Sequence, residues 1–210
     1  MITKLDLRKQ LKYLYEPPSK QVVEVDVPAM NFIMLDGTGD PNTATSYQEA
    51  IGALYGLAYT LKFVSKKAGL DYPVMPLEGL WWMEKMGKGH GGFDFEADKS
   101  LWLWTMMIML PDQVSPAEVE ASRRELGRKK DPPALDLVRL ERFEEGLAAQ
   151  VMHIGPYAAE RPAIERVHAF IAERGCEPRG KHHEIYLGDP RRTAPDKLRT
   201  VVRQPMTSKT

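Results

Sequence analysis

Two glutamates stand where a globular chain rarely places charge. Glu78 lies in the run Pro76-Leu77-Glu78-Gly79-Leu80-Trp81-Trp82, and Glu184 lies in His183-Glu184-Ile185-Tyr186-Leu187. Both runs are bulky and read as strands. A buried carboxylate is costly unless it is paired or hydrogen-bonded. Desolvation and a second carboxylate both raise its pKa, which suits it to acid–base work or to attracting a lipophilic cation. The other reading stays open, that each sits at a solvated strand edge or pairs with a lysine. Strand alternation groups Glu184 with Tyr186, and Glu78 with Leu80 and Trp82. It does not tell which sheet face lines a pocket.

Aromatic residues crowd around these carboxylates in the sequence. Trp81, Trp82, Trp102 and Trp104 fall in two consecutive strand-like runs, and Phe93 and Phe95 flank the glycine run 87–92. Tyr55 and Tyr59 are one helical turn apart and share a helix side. Each ring alone reads as core, but so many in one region suggest that Trp82, Trp104, Tyr55, Tyr59 and Phe95 line a cavity with Glu78 and Tyr186. Rings beside a carboxylate bind flat, lipophilic or cationic ligands by stacking and cation–π attraction. Tyr157 follows Gly155-Pro156 at a strand-to-helix break, where its hydroxyl either donates to a ligand or to Glu184, or packs under the helix.

Other chemistries find little support. His182 and His183 are adjacent on a strand and point to opposite faces, so they cannot chelate one metal together. His90, His153 and His168 show no ligand spacing, and the lone Cys176 excludes a disulfide within the chain. The glycine run lacks the Lys-Ser/Thr of a phosphate-binding loop and reads as a lid or a plain hairpin loop. No nucleophilic serine motif is present. No metal and no cofactor are expected. Lys plus Arg equals Asp plus Glu at 29 each in 210 residues, so the electrostatic footprint of a nucleic-acid binder is missing. The first residues are polar and charged rather than a signal peptide, and the run from Leu101 to Leu110 is too short to span a bilayer. A cytoplasmic protein without a membrane partner is the expectation.

The elements that must position these residues come in two similar sets. A short helix over Leu5 to Tyr15 is followed by a hairpin, Val22 to Val27 with Met30 to Leu35. Ser46 and Glu49 suggest a capping box for a helix ending near Lys67, and strands follow at Glu78 to Met83 and at Trp102 to Leu110. Ser115 with Glu118 opens a charged connector helix. Val138 to Phe143 and Leu147 to Ile154 read as a second hairpin, followed by a helix from about Arg161 to Arg174 and strands at 183–187 and 198–205. The chain thus predicts an α+β fold: a pseudo-twofold duplication of a strand–helix–strand–strand module, with one antiparallel sheet and two main helices. We expect a single domain over 1–210, with module one at about 20–112, the connector at 113–133 and module two at 134–206.

Several of these segments resemble the GyrI-like small-molecule-binding family. They are Asp36-Gly37-Thr38-Gly39-Asp40-Pro41, Leu54-Tyr55 with Tyr59-Thr60-Leu61-Lys62-Phe63, Pro76 to Trp82, His153-Ile154-Gly155-Pro156-Tyr157, and His183 to Leu187 with Leu198 to Pro205. The run Pro-Leu-Glu-Gly-Leu-Trp-Trp points to a stand-alone branch. The resemblance implies a central pocket whose glutamate maps to Glu184. Some members of that branch are cyclopropanoid cyclopropyl hydrolases, which open the cyclopropane of DNA-alkylating natural products using an aromatic cage. Other relatives sense ligands for transcription regulators or bind DNA gyrase. The expected function is therefore binding of flat hydrophobic or cationic xenobiotics, with hydrolysis of cyclopropane-bearing compounds by Glu184 as general base and Tyr157 or Glu78 polarising the departing group. The alternative is a protein-interaction module of the gyrase-inhibitor kind.

Overall fold

In the computed structural model, which describes residues 2–84 and 98–209, one antiparallel sheet dominates. Along the chain come β1 (Thr3–Lys4), α1 (Leu7–Gln10), α2 (Lys12–Tyr15), β2 (Val23–Val27), β3 (Met30–Thr38), α3 (Thr45–Lys67), β4 (Leu70–Asp71), β5 (Leu77–Trp82) and β6 (Leu103–Leu110). The second half carries α4 (Pro116–Lys130), β7 (Arg139–Phe143), β8 (Gly146–Ile154), α5 (Arg161–Glu173), β9 (Cys176–Pro178), β10 (His182–Tyr186) and β11 (Arg199–Ser208). The sheet runs β2-β8-β11-β10-β5-β6-β3-β7, with β9 added beside β11. Read from its middle, the β5–β10 pair, the order is the same in both directions. β3, α3, β5 and β6 thus correspond to β8, α5, β10 and β11.

The two expected hairpins do not form. β2 leaves its neighbour in sequence and pairs with β8, while β7 pairs with β3. The reason is local. Two-residue hairpin turns need residues with positive φ. Pro28-Ala29 offers none, and in the expected Glu144-Glu145-Gly146 turn the positive φ falls on Gly146, which is already the first residue of β8. Each outer strand therefore crosses to the other half and becomes a sheet edge. Glu24 and Asp26 on β2, and Arg139, Glu141 and Arg142 on β7, put charge on these edges and discourage further pairing.

Side chains cap the starts of α1, at Asp6, and of α4. Ser115 and Glu118 form the reciprocal capping box of α4, with Pro116 in the first turn. The box expected at Ser46 is absent: α3 begins at Thr45 after Ala44, which makes no side-chain cap. A tight turn explains this, because Ala44 N donates to Asp40 O at 2.8 Å and Asp40 Oδ1 accepts from Asn42 N at 2.9 Å, so the chain turns into the helix before Ser46. The N-terminal helix is split into α1 and α2.

α3 packs on β3 and β6, and α5 on β8 and β11, both on one face of the sheet; α4 packs against α3. Trp104 on β6 fixes one of these contacts. Its indole lies across Gly37, its cross-strand partner on β3, so closely that a Cβ at residue 37 would stand 2.0 Å from the ring. The other face is covered by the N-terminal segment, which bonds to a buried polar chain. Tyr15 donates to Glu78 Oε1 at 2.7 Å, and Glu78 Oε2 lies 3.0 Å from His183 Nε2. His183 Nδ1 lies 3.0 Å from Glu145, which also accepts from Arg203 Nη1 at 3.0 Å. Arg203 donates further to Gln150 at 3.0 Å and to the Leu14 carbonyl at 2.8 Å. Both ring nitrogens of His183 face carboxylates, which suits the imidazolium. Burial opposes that charge, but Glu145 outweighs it and raises the His183 pKa. Burial likewise works against ionised Glu145, yet His183 and Arg203 hold it down to about 2.

Three outcomes follow from this packing. Gly37→Ala forces the Trp104 indole aside and costs about 1–3 kcal/mol, read as a fall in the urea midpoint; an unchanged midpoint contradicts the contact. Arg203→Met leaves Glu145 without its permanent cation and costs about 3–5 kcal/mol; a loss below about 1 kcal/mol contradicts the network. The pH profile has a definite sign. The share from His183 is complete below its ordinary 6.5 and is lost as pH rises through its higher folded value. The share from Glu145 is present above its ordinary 4.5 and is lost as pH falls towards about 2. Thermal scans should therefore place the network's maximum between these ordinary values, and His183→Gln should flatten the alkaline side; an unaltered alkaline slope contradicts the assignment.

Candidate functional site

Between the two main helices the central strands β5 and β10 form a seam. Their register pairs Glu184 with Gly79, His182 with Trp81 and Tyr186 with Leu77. These residues share the face that carries α3 and α5. Gly79 is needed here, since a Cβ would come within 2.8 Å of Trp81 Nε1 and 3.2 Å of the Tyr186 hydroxyl. The Trp81 indole and the Tyr186 hydroxyl take up the room that a side chain at residue 79 would need. Trp81 Nε1 donates to the Tyr186 hydroxyl at 3.1 Å, and Tyr186 donates to Glu184 Oε2 at 2.7 Å. His182 Nε2 lies 3.2 Å from Glu184 Oε1.

A second carboxyl meets this one. Glu160, the residue before α5, is 4% exposed and hydrogen-bonds through its side chain to Glu184, itself 8% exposed. Burial first, then the Glu184 charge, push the Glu160 carboxyl well above the usual carboxylate range, so it holds its proton at neutral pH. Burial alone would also raise Glu184, but hydrogen bonds with His182, Tyr186 and Glu160 outweigh it and keep Glu184 below its ordinary value. The pair thus carries one proton and one negative charge. No lysine or arginine forms an ion pair with either carboxyl among the described residues.

Rings surround the pair. Tyr157 stands against Tyr186 edge to face, with centroids 5.5 Å apart. Tyr47 on α3 sits 6.1 Å from Trp81 and 5.2 Å from Trp104, and Trp81 meets Trp102 at 5.7 Å. Tyr157 remains exposed, and Tyr47, Tyr55 and Tyr186 are half-buried. Burial, then nearby carboxylates, push the Tyr157 hydroxyl up to about 12, and burial with the Glu184 charge raises the Tyr186 hydroxyl as well. Both stay neutral donors across the ordinary pH range. The arrangement offers a flat guest stacking surfaces, hydroxyl donors and a buried anion whose close cationic candidate among the described residues is His182.

The residues singled out from sequence fall into separate places. Glu184, Tyr186 and Tyr157 come together at the seam. Tyr55 stacks on Tyr59 at 6.3 Å on α3, and Tyr59 is exposed. Trp104 is on the same sheet face as Glu184 but fully buried beneath α3. Trp82 lies on the opposite face, with Lys181 Nζ 3.3 Å from its ring centroid. Glu78 is on that opposite face too, 1% exposed and bonded to Tyr15 and His183. Strand parity explains the split: Glu184 is opposite Gly79, so Glu78 must point the other way. Because α3 and α5 share one face, the pseudo-twofold axis is perpendicular to the sheet, and Glu78 and Glu184 are not equivalent positions of the repeat. Phe95, Phe93, His90 and the glycine run 87–92 lie outside the described residues.

Glu160, Tyr47, Trp81 and Gly79 were not singled out from sequence. Tyr47 had a signal, because it precedes Tyr55 by two of the four-residue steps that link Tyr55 to Tyr59. Trp81 could be chosen over Trp82 only with the β5–β10 register in hand. Glu160 had no pattern of its own; it becomes visible only when α5 and β10 are placed together. Among the described residues, no group of three or more His, Cys, Asp and Glu side chains could hold a metal ion, and no helix is long and apolar enough to cross a membrane.

Comparison with known proteins places this geometry in a lineage. No curated protein matches the chain. Three solved structures from Listeria innocua are similar over nearly the full length. One, an uncharacterized conserved protein, is 38% identical with a TM-score of 0.87, covering 97% of this chain and 100% of its own. Two others, each described as a hydrolase, are 34% and 37% identical with TM-scores of 0.82 and 0.83; they cover 97% and 98% of this chain and 100% of their own. The model of the GyrI-like small molecule binding domain matches residues 20–206, nearly the whole sheet and both helices that flank the seam. The chain belongs to the GyrI-like family.

Proposed function

We propose that the protein binds flat hydrophobic or cationic small molecules at the seam above β5 and β10, and hydrolyses those that carry a strained ring. The observation that supports this best is Glu184, a buried carboxylate with no cationic side chain in ion-pair contact apart from His182 among the described residues, set beneath half-buried rings. Such a group attracts a lipophilic cation that can replace its lost hydration, and the tyrosine rings add stacking and cation–π attraction. Tyr47, Tyr157 and Tyr186 are the walls nearest the carboxylate; Tyr55 and Tyr59 extend the wall along α3. Trp104 supports Tyr47 from below, and Trp82 and Glu78 belong to the other face of the sheet.

Hydrolysis is favoured by a specific finding, the two relatives described as hydrolases at 34% and 37% identity. For a spirocyclopropane conjugated to a carbonyl, the site supplies each part. The rings hold the flat substrate, and Glu184 takes a proton from a water as its oxygen bonds to a cyclopropane carbon. The cleaved carbon–carbon bond sends its electron pair to the conjugated carbonyl, whose oxygen is polarised by the Tyr157 hydroxyl and takes up a proton. The net change is addition of one water. Glu184 is ionised throughout the neutral range, so strain in the ring, rather than a strong base, supplies the drive.

Incubation with a spirocyclopropane alkylator, followed by mass spectrometry of the small molecule, tests the reading. The native protein should convert it to the product heavier by one water, and Glu184→Gln should slow conversion about 100-fold or more. A planar ligand should also quench emission from the Trp81, Trp102 and Trp104 cluster. Quenching without conversion leaves a binding protein. Neither quenching nor conversion with any planar lipophilic compound overturns the site.

A further inference from the structure

The seam treats charge differently from the buried chain on the other face. There, Arg203 and His183 neutralise Glu145 and Glu78. At the seam, among the described residues, Glu160 and Glu184 share their only close cationic candidate, His182, which contacts Glu184 rather than Glu160. Among the described residues no donor group reaches the buried Glu160 Oε1. A buried acceptor left open in this way is a cost that a ligand can remove. Among the described residues, the groups facing the carboxyl pair are Tyr186 and His182 from β10, Tyr157 from the turn before α5, Tyr47 from α3, and the Thr200 hydroxyl from β11. Asp189 and Arg191, beyond β10, pair with each other.

We propose that a lipophilic monocation enters this site in exchange for a proton, released to water from the Glu160 carboxyl that bonds to Glu184. The inference rests on the binding site proposed above. Before binding, Glu160 is a neutral acid because Glu184 beside it is already charged. A monocation seated over the pair compensates the second negative charge, so the O–H bond of Glu160 breaks and its proton leaves to bulk water, while the cation remains against two carboxylates. Charge is conserved: one positive ion arrives and one departs. An uncharged flat guest gives Glu160 no reason to ionise and releases nothing. The seam therefore distinguishes cations from neutral molecules of the same shape in a pH-dependent way. Since a proton is a product of cation binding, raising the pH tightens it. The tyrosines do not compete as proton sources, because burial and the carboxylates push Tyr47, Tyr157 and Tyr186 above their ordinary values.

Isothermal titration of the full chain with rhodamine 6G, a flat permanent cation, and with Nile red, a flat neutral dye, tests this in two buffers of different ionisation enthalpy. Rhodamine 6G should release up to about one proton near pH 8, and its affinity should rise about three- to tenfold per pH unit between pH 7 and 9. Nile red should release none. Glu160→Gln should abolish the release for rhodamine 6G; release that persists undiminished in this variant overturns the assignment to Glu160. Rhodamine 6G binding with equal heats in both buffers and a flat pH profile overturns the exchange and leaves the binding site standing. Failure of both dyes to bind overturns the binding site and the exchange together. The proton count on the native protein decides the matter even where the variant folds poorly.

Discussion

The register between β5 and β10 is the constraint on which the rest depends. Glu184 stands opposite Gly79, and strand parity then sends every neighbour to a defined side. His182, Glu184, Tyr186 and Trp81 face the helices. Glu78 and His183 face the N-terminal segment. A slip of one residue would exchange these sets, burying Glu184 under Tyr15 and aiming Glu78 at the seam.

Two opposite solutions to buried charge follow. On the N-terminal side each carboxylate is answered: Glu145 by Arg203 and His183, Glu78 by His183 and Tyr15. That chain ties Leu14, Tyr15, β8, β10 and β11 to one another, and a fully partnered network favours one arrangement of the strands. On the helix side the carboxyls answer one another, Glu160 holding a proton against Glu184. A charge left open beneath half-exposed rings is a poor contributor to stability and a good receptor for a guest. Folds concentrate such conflicts at functional sites.

Much of this was readable from the amino-acid order. The two sets of strand, helix, strand and strand, the Ser115 capping box and the shared face of Glu184 and Tyr186 all follow from spacing and turn chemistry. What was hidden is long-range. Periodicity within Val23–Val27 cannot tell that its partner is β8, more than a hundred residues away, rather than β3. The choice between Trp81 and Trp82, and between Glu78 and Glu184 as seam carboxylates, needs the pairing of two strands from different halves. Glu160 marks the limit most clearly: its neighbours Ala159 and Arg161 say nothing, and its role arises because the start of α5 is set down beside β10.

The central claim is that the seam over β5 and β10 receives a guest against Glu184. A crystal structure of the protein saturated with a flat cationic dye measures this directly. The account predicts the dye between Tyr47 and Tyr157, with its positive charge within about 4–6 Å of the Glu184 carboxylate, the range in which opposite charges couple strongly. A dye seated elsewhere, away from the Glu184 carboxylate, would contradict it.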